Sequence, residues 1–401
     1  MSESNSPRPL GVGLISAGWM GRLHSRAYLA MRDKYSDLGV APELIIVADP
    51  VTSNAIEFQE HFGFKVVTDD YRAVLGHPDV DVVSICAPNY LHRDFAVAAA
   101  QAGKPFWIEK PMGISRAQSA DIVAAAQANG LPTCVGFTYR GAPAIVRAHD
   151  LLRSGALGAI TNVHVKLNAD YSADPTGPRT WRFVRETGGS GVLGDLLSHG
   201  FDLAQYLTGS PIAEVSALIS TFIDQRPAPG GGTGHQVHAA PDAAMLPVEN
   251  EDYASVIARF ASGVVGTFES SRVAVGSRCD YGVEVHCTGG AIRWNFERLN
   301  ELDICAGDTL RDYGYTTEMS DERFGDFARF QPGAGMGLSF DDLKVIEGSQ
   351  FVRSVLTHTQ LAPSVADGLA AASTVDAALR SASSATWVKV PAPNAGTTFE
   401  D

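Results

Sequence analysis

Six short apolar runs punctuate the first 135 residues: Gly11-Val-Gly-Leu-Ile15, Leu44-Ile-Ile-Val-Ala48, Val66-Val67, Val82-Val-Ser-Ile85, Phe106-Trp-Ile108 and Leu131-Pro-Thr-Cys-Val135. A strand with one wet face alternates apolar and polar residues. One that is apolar throughout must be covered on both faces. Helical segments near 52–62, 93–102 and 115–129 separate the runs and supply that cover. The rhythm predicts an α/β fold with a doubly wound parallel sheet.

From about 160 the texture changes. Val163-His-Val-Lys-Leu167, Glu214-Val-Ser-Ala-Leu218, Ala254–Phe260, Gly266–Ser270 and Tyr281–His286 alternate as half-buried antiparallel strands do. A helix near 363–382 precedes a last strand at 386–390. Two domains are expected in 401 residues: 1–140, built to hold a dinucleotide, and 141–401. The segment 225–249 is rich in Gly, Pro and Ala, and is either a functional loop or partly disordered.

Charge and cysteines exclude several classes. A net charge of −14 without a basic run opposes binding to nucleic acid. The five cysteines (86, 134, 279, 287, 305) lack C-x-x-C spacing and read as reduced core residues, with no metal site expected. No apolar run approaches eighteen residues and no secretory leader pattern opens the chain, so a cytoplasmic protein with no membrane partner is expected.

The first strand ends in Ser16-Ala17-Gly18-Trp19-Met20-Gly21. A dinucleotide loop wants G-x-G-x-x-G between strand and helix. Gly18 and Gly21 satisfy the second and third positions, while Ser16 replaces the first. Ser16 to Met20 are thus candidates for the pyrophosphate. Asp49 ends the second strand, where a carboxylate can accept from the adenosine ribose and repel a 2′-phosphate, favouring NAD over NADP. It falls 28 residues after Gly21, a spacing that an insertion at 34–42 would explain; Asp49-Pro50 would also serve as a plain turn opener. Ala87, Pro88, Asn89 and His92 follow the strand at 82–86, on the ligand edge of such a sheet. His92 could equally cap the next helix.

Two further motifs carry titratable groups. Glu109-Lys110-Pro111 follows a buried strand, and Asp195-Leu-Leu-Ser-His199 places a carboxylate and an imidazole at i and i+4, one face of a helix. Each alone is ordinary: a lysine after a strand is usually solvated, and an Asp/His pair on a helix is usually a surface pair.

Together, Gly18-x-x-Gly21, Asp49, Pro88-Asn89-x-x-His92, Glu109-Lys110-Pro111 and Gly188-Gly-x-Gly-x-x-x-Asp195-x-x-x-His199 resemble the Gfo/Idh/MocA oxidoreductases, named for glucose–fructose oxidoreductase and inositol dehydrogenase. The stretch Asp170-Tyr-Ser-Ala-Asp174 with Trp181-Arg182-Phe183 is similar to a branch that oxidises a pyranoside ring hydroxyl at C3. The resemblance implies an N-terminal Rossmann domain and a C-terminal α/β domain with a large open, mostly antiparallel sheet. That sheet would join a homodimer or homotetramer.

It also implies an NAD-dependent sugar dehydrogenase, with inositol dehydrogenase, or a glycosidase using NAD for transient C3 oxidation, as alternatives. Lys110, Asp195 and His199 would be catalytic. His199, with an unperturbed pKa of about 6.5, would be the general base, or else Lys110 with a lowered pKa. Glu109, Lys110, Trp181 and Arg182 would lie along the cofactor, and Lys110, Tyr139, Asn168, Arg182, Asp195 and His199 against a carbohydrate or cyclitol. The resemblance also places a cis proline at Pro111 and turns Tyr139-Arg140 toward the pocket.

Overall fold

The computed structural model describes residues 7–232, 237–307 and 314–392. The chain divides into two compact units. The first comprises residues 1–112, 117–138 and 339–365; the second comprises 113–116, 139–338 and 366–401. Where the sequence suggests one cut at 140, the first unit also takes in a segment from near the carboxyl end. The reason is that residues 340–357 pack against 19–34 and that Lys344 pairs with Glu109.

In the first unit, β1 (Arg8–Ile15), β2 (Val40–Ala48), β3 (Val66–Thr68), β4 (Val82–Ile85), β5 (Phe106–Ile108) and β6 (Thr133–Val135) form one sheet in the order β3-β2-β1-β4-β5-β6. Every neighbouring pair is parallel. The apolar runs behave as their composition requires: all of β4, β5 and β6 is buried. Helices α1 (Trp19–Lys34), α2 (Thr52–Phe62), α3 (Tyr71–Gly76), α4 (Asn89–Gln101) and α5 (Arg116–Ala128) connect the strands. The excess length at 34–42 is a short 3-10 turn, Ser36–Leu38, and an early start of β2. Strand order reverses between β1 and β4, the place where sheets of this kind open a crevice at their carboxyl edge.

The second unit opens with α6 (Pro143–Arg153) and β7 (Ile160–Asn168). Short helices α7 (Arg185–Gly188) and α8 (Val192–Asp195) lead into α9 (Leu197–Thr208) and β8 (Ile212–Ser220). Four short strands follow: β9 (Gln225–Pro227), β10 (Pro229–Gly231), β11 (His238–Ala239) and β12 (Met245–Pro247). They pair as two antiparallel ladders, β9 with β12 and β10 with β11, so the Gly/Pro-rich connection is a built arm. Residues 233–236 of that connection lie outside the described residues.

Next come β13 (Tyr253–Phe260), β14 (Val265–Ser271), β15 (Asp280–Cys287), β16 (Gly290–Asn295), β17 (Glu301–Ala306) and β18 (Thr316–Met319). Helix α10 (Phe340–Thr357) returns the chain to the first unit, and α11 (Val365–Ser384) and β19 (Val388–Lys389) complete it. A nine-stranded sheet runs β18-β17-β16-β15-β7-β14-β13-β8-β19, antiparallel except for β7 beside β14. One face, with Val163, Val165, Val256, Phe268 and Val283, is buried, and α9 packs on β7 and β14. On the other, His164, Lys166, Ile257, Thr267 and Glu269 are exposed.

Candidate active site

In the first unit the predicted cofactor residues gather at the carboxyl edge of the parallel sheet. The turn after β1 is shaped by Ser16 at φ +79°, a left-handed conformation that costs an L-residue about 1–2 kcal/mol. This is where the fingerprint ordinarily has glycine. At Gly21 a Cβ would sit 2.6 Å from the Ser16 carbonyl oxygen, so packing alone demands glycine.

Gly18 differs. Its φ of −95° suits any residue, and a Cβ there would meet no protein atom within 4 Å. Nothing in the chain's own packing asks for glycine at 18; a ligand backed onto the loop would. Gly18 is also the N-cap of α1 and has no side-chain cap, so the helix's first N–H groups face the same opening. The loop therefore fits a dinucleotide pyrophosphate. Trp19 at the helix start is 53% exposed and lies over Phe340, whereas Ala17 is buried.

Asp49 ties the loop to the end of β2. Its Oδ2 accepts from Ala17 N–H at 2.8 Å, and its Oδ1 from Val51 N–H at 2.9 Å. The carboxylate is thus fixed at the edge where a ribose would lie, and it opens a turn as well.

His92 is a different matter from the cofactor contact expected of it. It is 1% exposed, with Nδ1 at 2.9 Å from the Pro111 carbonyl and Nε2 at 2.7 Å from the Ala87 carbonyl. Both ring nitrogens face protein acceptors, so the residue braces the turn after β4 against the one after β5. Burial lowers its pKa, against the pull of the two carbonyls. The Lys110–Pro111 bond is cis, as the resemblance implied, and Lys110 is half-buried. Pro88 and Asn89 are half-buried at the start of α4.

Glu109, also expected along the cofactor, turns its carboxylate inward. Lys344 Nζ on α10 donates to its Oε1 at 2.6 Å and to Glu347 Oε2 at 2.7 Å. His24 Nε2 is 3.0 Å from the same Glu109 oxygen. An ionised carboxylate only accepts, so Nε2 carries the proton. His24 Nδ1 then accepts from Ser84 Oγ at 3.1 Å, and Ser84 accepts from Tyr28 at 3.1 Å. Thr138 Oγ1 donates to Glu347 Oε2 at 3.0 Å.

Burial opposes charge on Glu109, but Lys344 and His24 hold its pKa below the usual carboxylate range. Burial pushes His24 down to about 4, and pushes Glu347 up to about 7 against the pull of Lys344. This chain of polar groups lies directly beneath Lys110 in sequence and is invisible to motif reading.

In the second unit, Asp195 and His199 do not share one helix as their spacing suggested. Asp195 ends α8, and α9 starts after Leu196 (φ −108°, ψ −57°). The His199 N–H reaches back only three residues, to the Leu196 carbonyl at 3.1 Å, which tightens the step between them. The buried Glu251 carboxylate accepts from Leu193 N–H at 3.0 Å and fixes the start of α8.

Tyr139 and His199 do come together: their rings meet edge-on at 4.8 Å, and Tyr281 OH donates to the His199 carbonyl at 3.1 Å. Arg182 lies over the Trp181 ring at 4.3 Å. Asn168 ends β7 with a buried Oδ1 that has no hydrogen-bond partner among the described residues. Arg140, which the resemblance turned toward the pocket, is instead buried between Asp202 and Asp367 and stacked on Tyr206. Tyr171 lies in the Asp170–Asp174 stretch that carries the resemblance but is given no role there; its OH donates to Asp195 Oδ2 at 2.7 Å.

Among the described residues no group of three or more His, Cys, Asp or Glu is placed to hold a metal ion, and no helix is long and apolar enough to cross a membrane.

Residues 10–137 match a profile described as an oxidoreductase family with an NAD-binding Rossmann fold, and residues 145–293 match the GFO/IDH/MocA C-terminal domain. Levoglucosan dehydrogenase of Pseudarthrobacter phenanthrenivorans is 35% identical over 384 residues, 95% of this chain and 98% of the relative. A solved levoglucosan dehydrogenase in complex with NADH and levoglucosan superposes with a TM-score of 0.89 at 34% identity, over 96% of this chain and 100% of the other. Inositol 2-dehydrogenase of Rhizobium meliloti is 26% identical over 373 residues, 92% of this chain and 96% of the relative.

Proposed function

The chain belongs to the Gfo/Idh/MocA family of NAD-binding oxidoreductases, and from that premise we propose that it oxidises the C3 hydroxyl of a pyranose sugar, glycoside or anhydrosugar. It is an NAD-dependent dehydrogenase acting on a sugar hydroxyl. The observation that carries this is the near full-length likeness to a dehydrogenase whose complex holds NADH and levoglucosan. A cyclitol substrate is the second reading, favoured by the inositol 2-dehydrogenase relative.

Bound NAD supplies the hydride acceptor at its nicotinamide. Ser16 to Met20 hold the pyrophosphate, Asp49 the adenosine ribose, and Ala87, Pro88 and Asn89 the adjoining edge. Trp181 and Arg182 would supply further contacts to the cofactor. Lys110 donates to the reacting oxygen and stabilises it as negative charge develops. His199 takes the hydroxyl proton, with Lys110 as the alternative base, and Asp195 orients a sugar hydroxyl and supports the charged imidazole. Tyr139, Asn168 and Arg182 supply further contacts to the sugar. The protein works in the cytoplasm as a homodimer or homotetramer, joined through the open face of the nine-stranded sheet. Exposed Ile257 and Leu218 on that face support the assembly.

The test is a panel of pyranoses, 1,6-anhydrosugars, glycosides and inositols with NAD and then NADP, following NADH or NADPH and locating the new carbonyl by NMR. A 3-keto pyranoside formed with NAD supports the proposal. Oxidation confined to inositols, or at another ring carbon, overturns it.

A further inference from the structure

Tyr171 is 52% exposed, yet its hydroxyl is committed to Asp195 Oδ2 at 2.7 Å. The backbone that carries it is pinned on both sides. Ala169 N–H donates to the Ser271 carbonyl at 2.8 Å, and Ser172 N–H to the Arg272 carbonyl at 3.0 Å.

From below, Arg226 of β9 grips the same turn through the carbonyls of Ser172 and Asp174. Arg226 is itself 1% exposed and stacks on Phe183 at 4.3 Å; Arg272 covers the same ring at 4.6 Å and pairs with Asp252 at 2.7 Å. Arg226, on β9, is therefore a brace of the Tyr171 turn. Three residues before Tyr171, Asn168 has a buried Oδ1 that meets no donor among the described residues.

We propose that Tyr171 is a substrate-gripping and positioning residue: its hydroxyl fixes the Asp195 carboxylate, and its exposed ring forms one wall of the sugar site. This rests on the dehydrogenase reading and deepens it. A pyranoside offers an apolar C–H face together with a rim of hydroxyls. A fixed aromatic face beside one oriented carboxylate matches both, in the way ligand sites combine apolar walls with few polar groups. A phenol donating to an ionised carboxylate makes a strong, directional bond that holds Asp195 in one rotamer. A tyrosine phenol ordinarily titrates at a pKa of about 10, so the donor persists through the neutral range.

The test compares the full wild-type chain with Tyr171→Phe and Tyr171→Ala, all saturated with NAD. Levoglucosan affinity is measured by saturation-transfer NMR, and kcat by NADH formation. Tyr171→Phe keeps the wall and loses the clamp: kcat falls about tenfold, with sugar Kd within about twofold of wild type. Tyr171→Ala loses both, and sugar Kd rises at least about tenfold while NAD Kd is unchanged.

Tyr171→Ala binding levoglucosan as wild type does, or Tyr171→Phe turning over at the wild-type rate, overturns the inference, as does a wild-type chain that binds no levoglucosan. A wild-type chain that binds the sugar but never reduces NAD overturns only the dehydrogenase reading. The loss of binding in Tyr171→Ala then still supports the wall.

Discussion

Lys344 Nζ and Glu109 Oε1 are 2.6 Å apart, although 235 residues separate them in the chain. Both are buried, and the ammonium is shared with Glu347 and lies 5.4 Å from the centre of the Trp107 ring. Glu109 immediately precedes Lys110, so the strand end that presents the proposed catalytic lysine is anchored on α10.

Removing one member of a buried ion pair strands the other. Lys344→Met is expected to destabilise the first unit by about 3–5 kcal/mol. Chemical denaturation followed by tryptophan fluorescence in a chain that keeps Trp107 as its one tryptophan checks this; a loss under about 1 kcal/mol would show that the pairing is not what holds α10 in place.

The same network predicts an acid dependence. His24 has a folded pKa of about 4 against 6.5 unfolded, so its contribution is present above 6.5 and lost as pH falls to about 4. Glu347, raised from 4.5 to about 7, works the other way: its contribution is present below 4.5 and lost as pH rises through about 7. Between pH 4.5 and 6.5 the two slopes oppose each other. Glu347→Gln removes one of them, so its melting temperature should climb more steeply with pH over that window than wild type does. Parallel curves would refute the assignment.

Gly18 and Gly21 should separate cofactor binding from folding. Gly21→Ala forces a Cβ to 2.6 Å from a carbonyl oxygen and should cost about 1–3 kcal/mol of stability. Gly18→Ala meets no protein atom and should leave the melting temperature unchanged. Its methyl would intrude on the pyrophosphate and raise NAD Kd about tenfold or more, a steric loss of at least about 1.4 kcal/mol. Calorimetric titration with NAD reads the second effect; an unchanged Kd would move the pyrophosphate elsewhere.

Asp49→Ser should weaken NAD about tenfold and narrow its preference over NADP, since the carboxylate that repels a 2′-phosphate is gone. Kd values for both dinucleotides decide it. If the preference is unchanged, Asp49 serves only its bonds to Ala17 and Val51.

Much of the fold was legible because the parallel strands are buried on both faces and say so in composition: β4 and β5 are apolar runs with no partner in helix periodicity. The glycine loop was legible for the same local reason. Helix α10 was not. Its buried side interleaves Leu343, Ile346 and Phe351 with Lys344, Glu347, Ser349 and Ser354, so its apolar face is interrupted by polar residues, and the Glu109 partner of Lys344 is distant in the chain. The break at Leu196 escaped notice because a four-residue spacing describes one helix and two abutting helices equally well. The arm at 225–249 hid behind its glycines and prolines, while Arg226 and Phe183, which hold it, are 43 residues apart.

In the proposed mechanism Lys110 and His199 carry proton transfer in a sugar dehydrogenase that uses NAD. The most direct measurement is steady-state NADH formation by Lys110→Ala and His199→Ala, with NAD affinity determined in parallel. The account predicts kcat lowered about a hundredfold or more in each, with NAD Kd nearly unchanged. Turnover within a few-fold of wild type in both variants would contradict it.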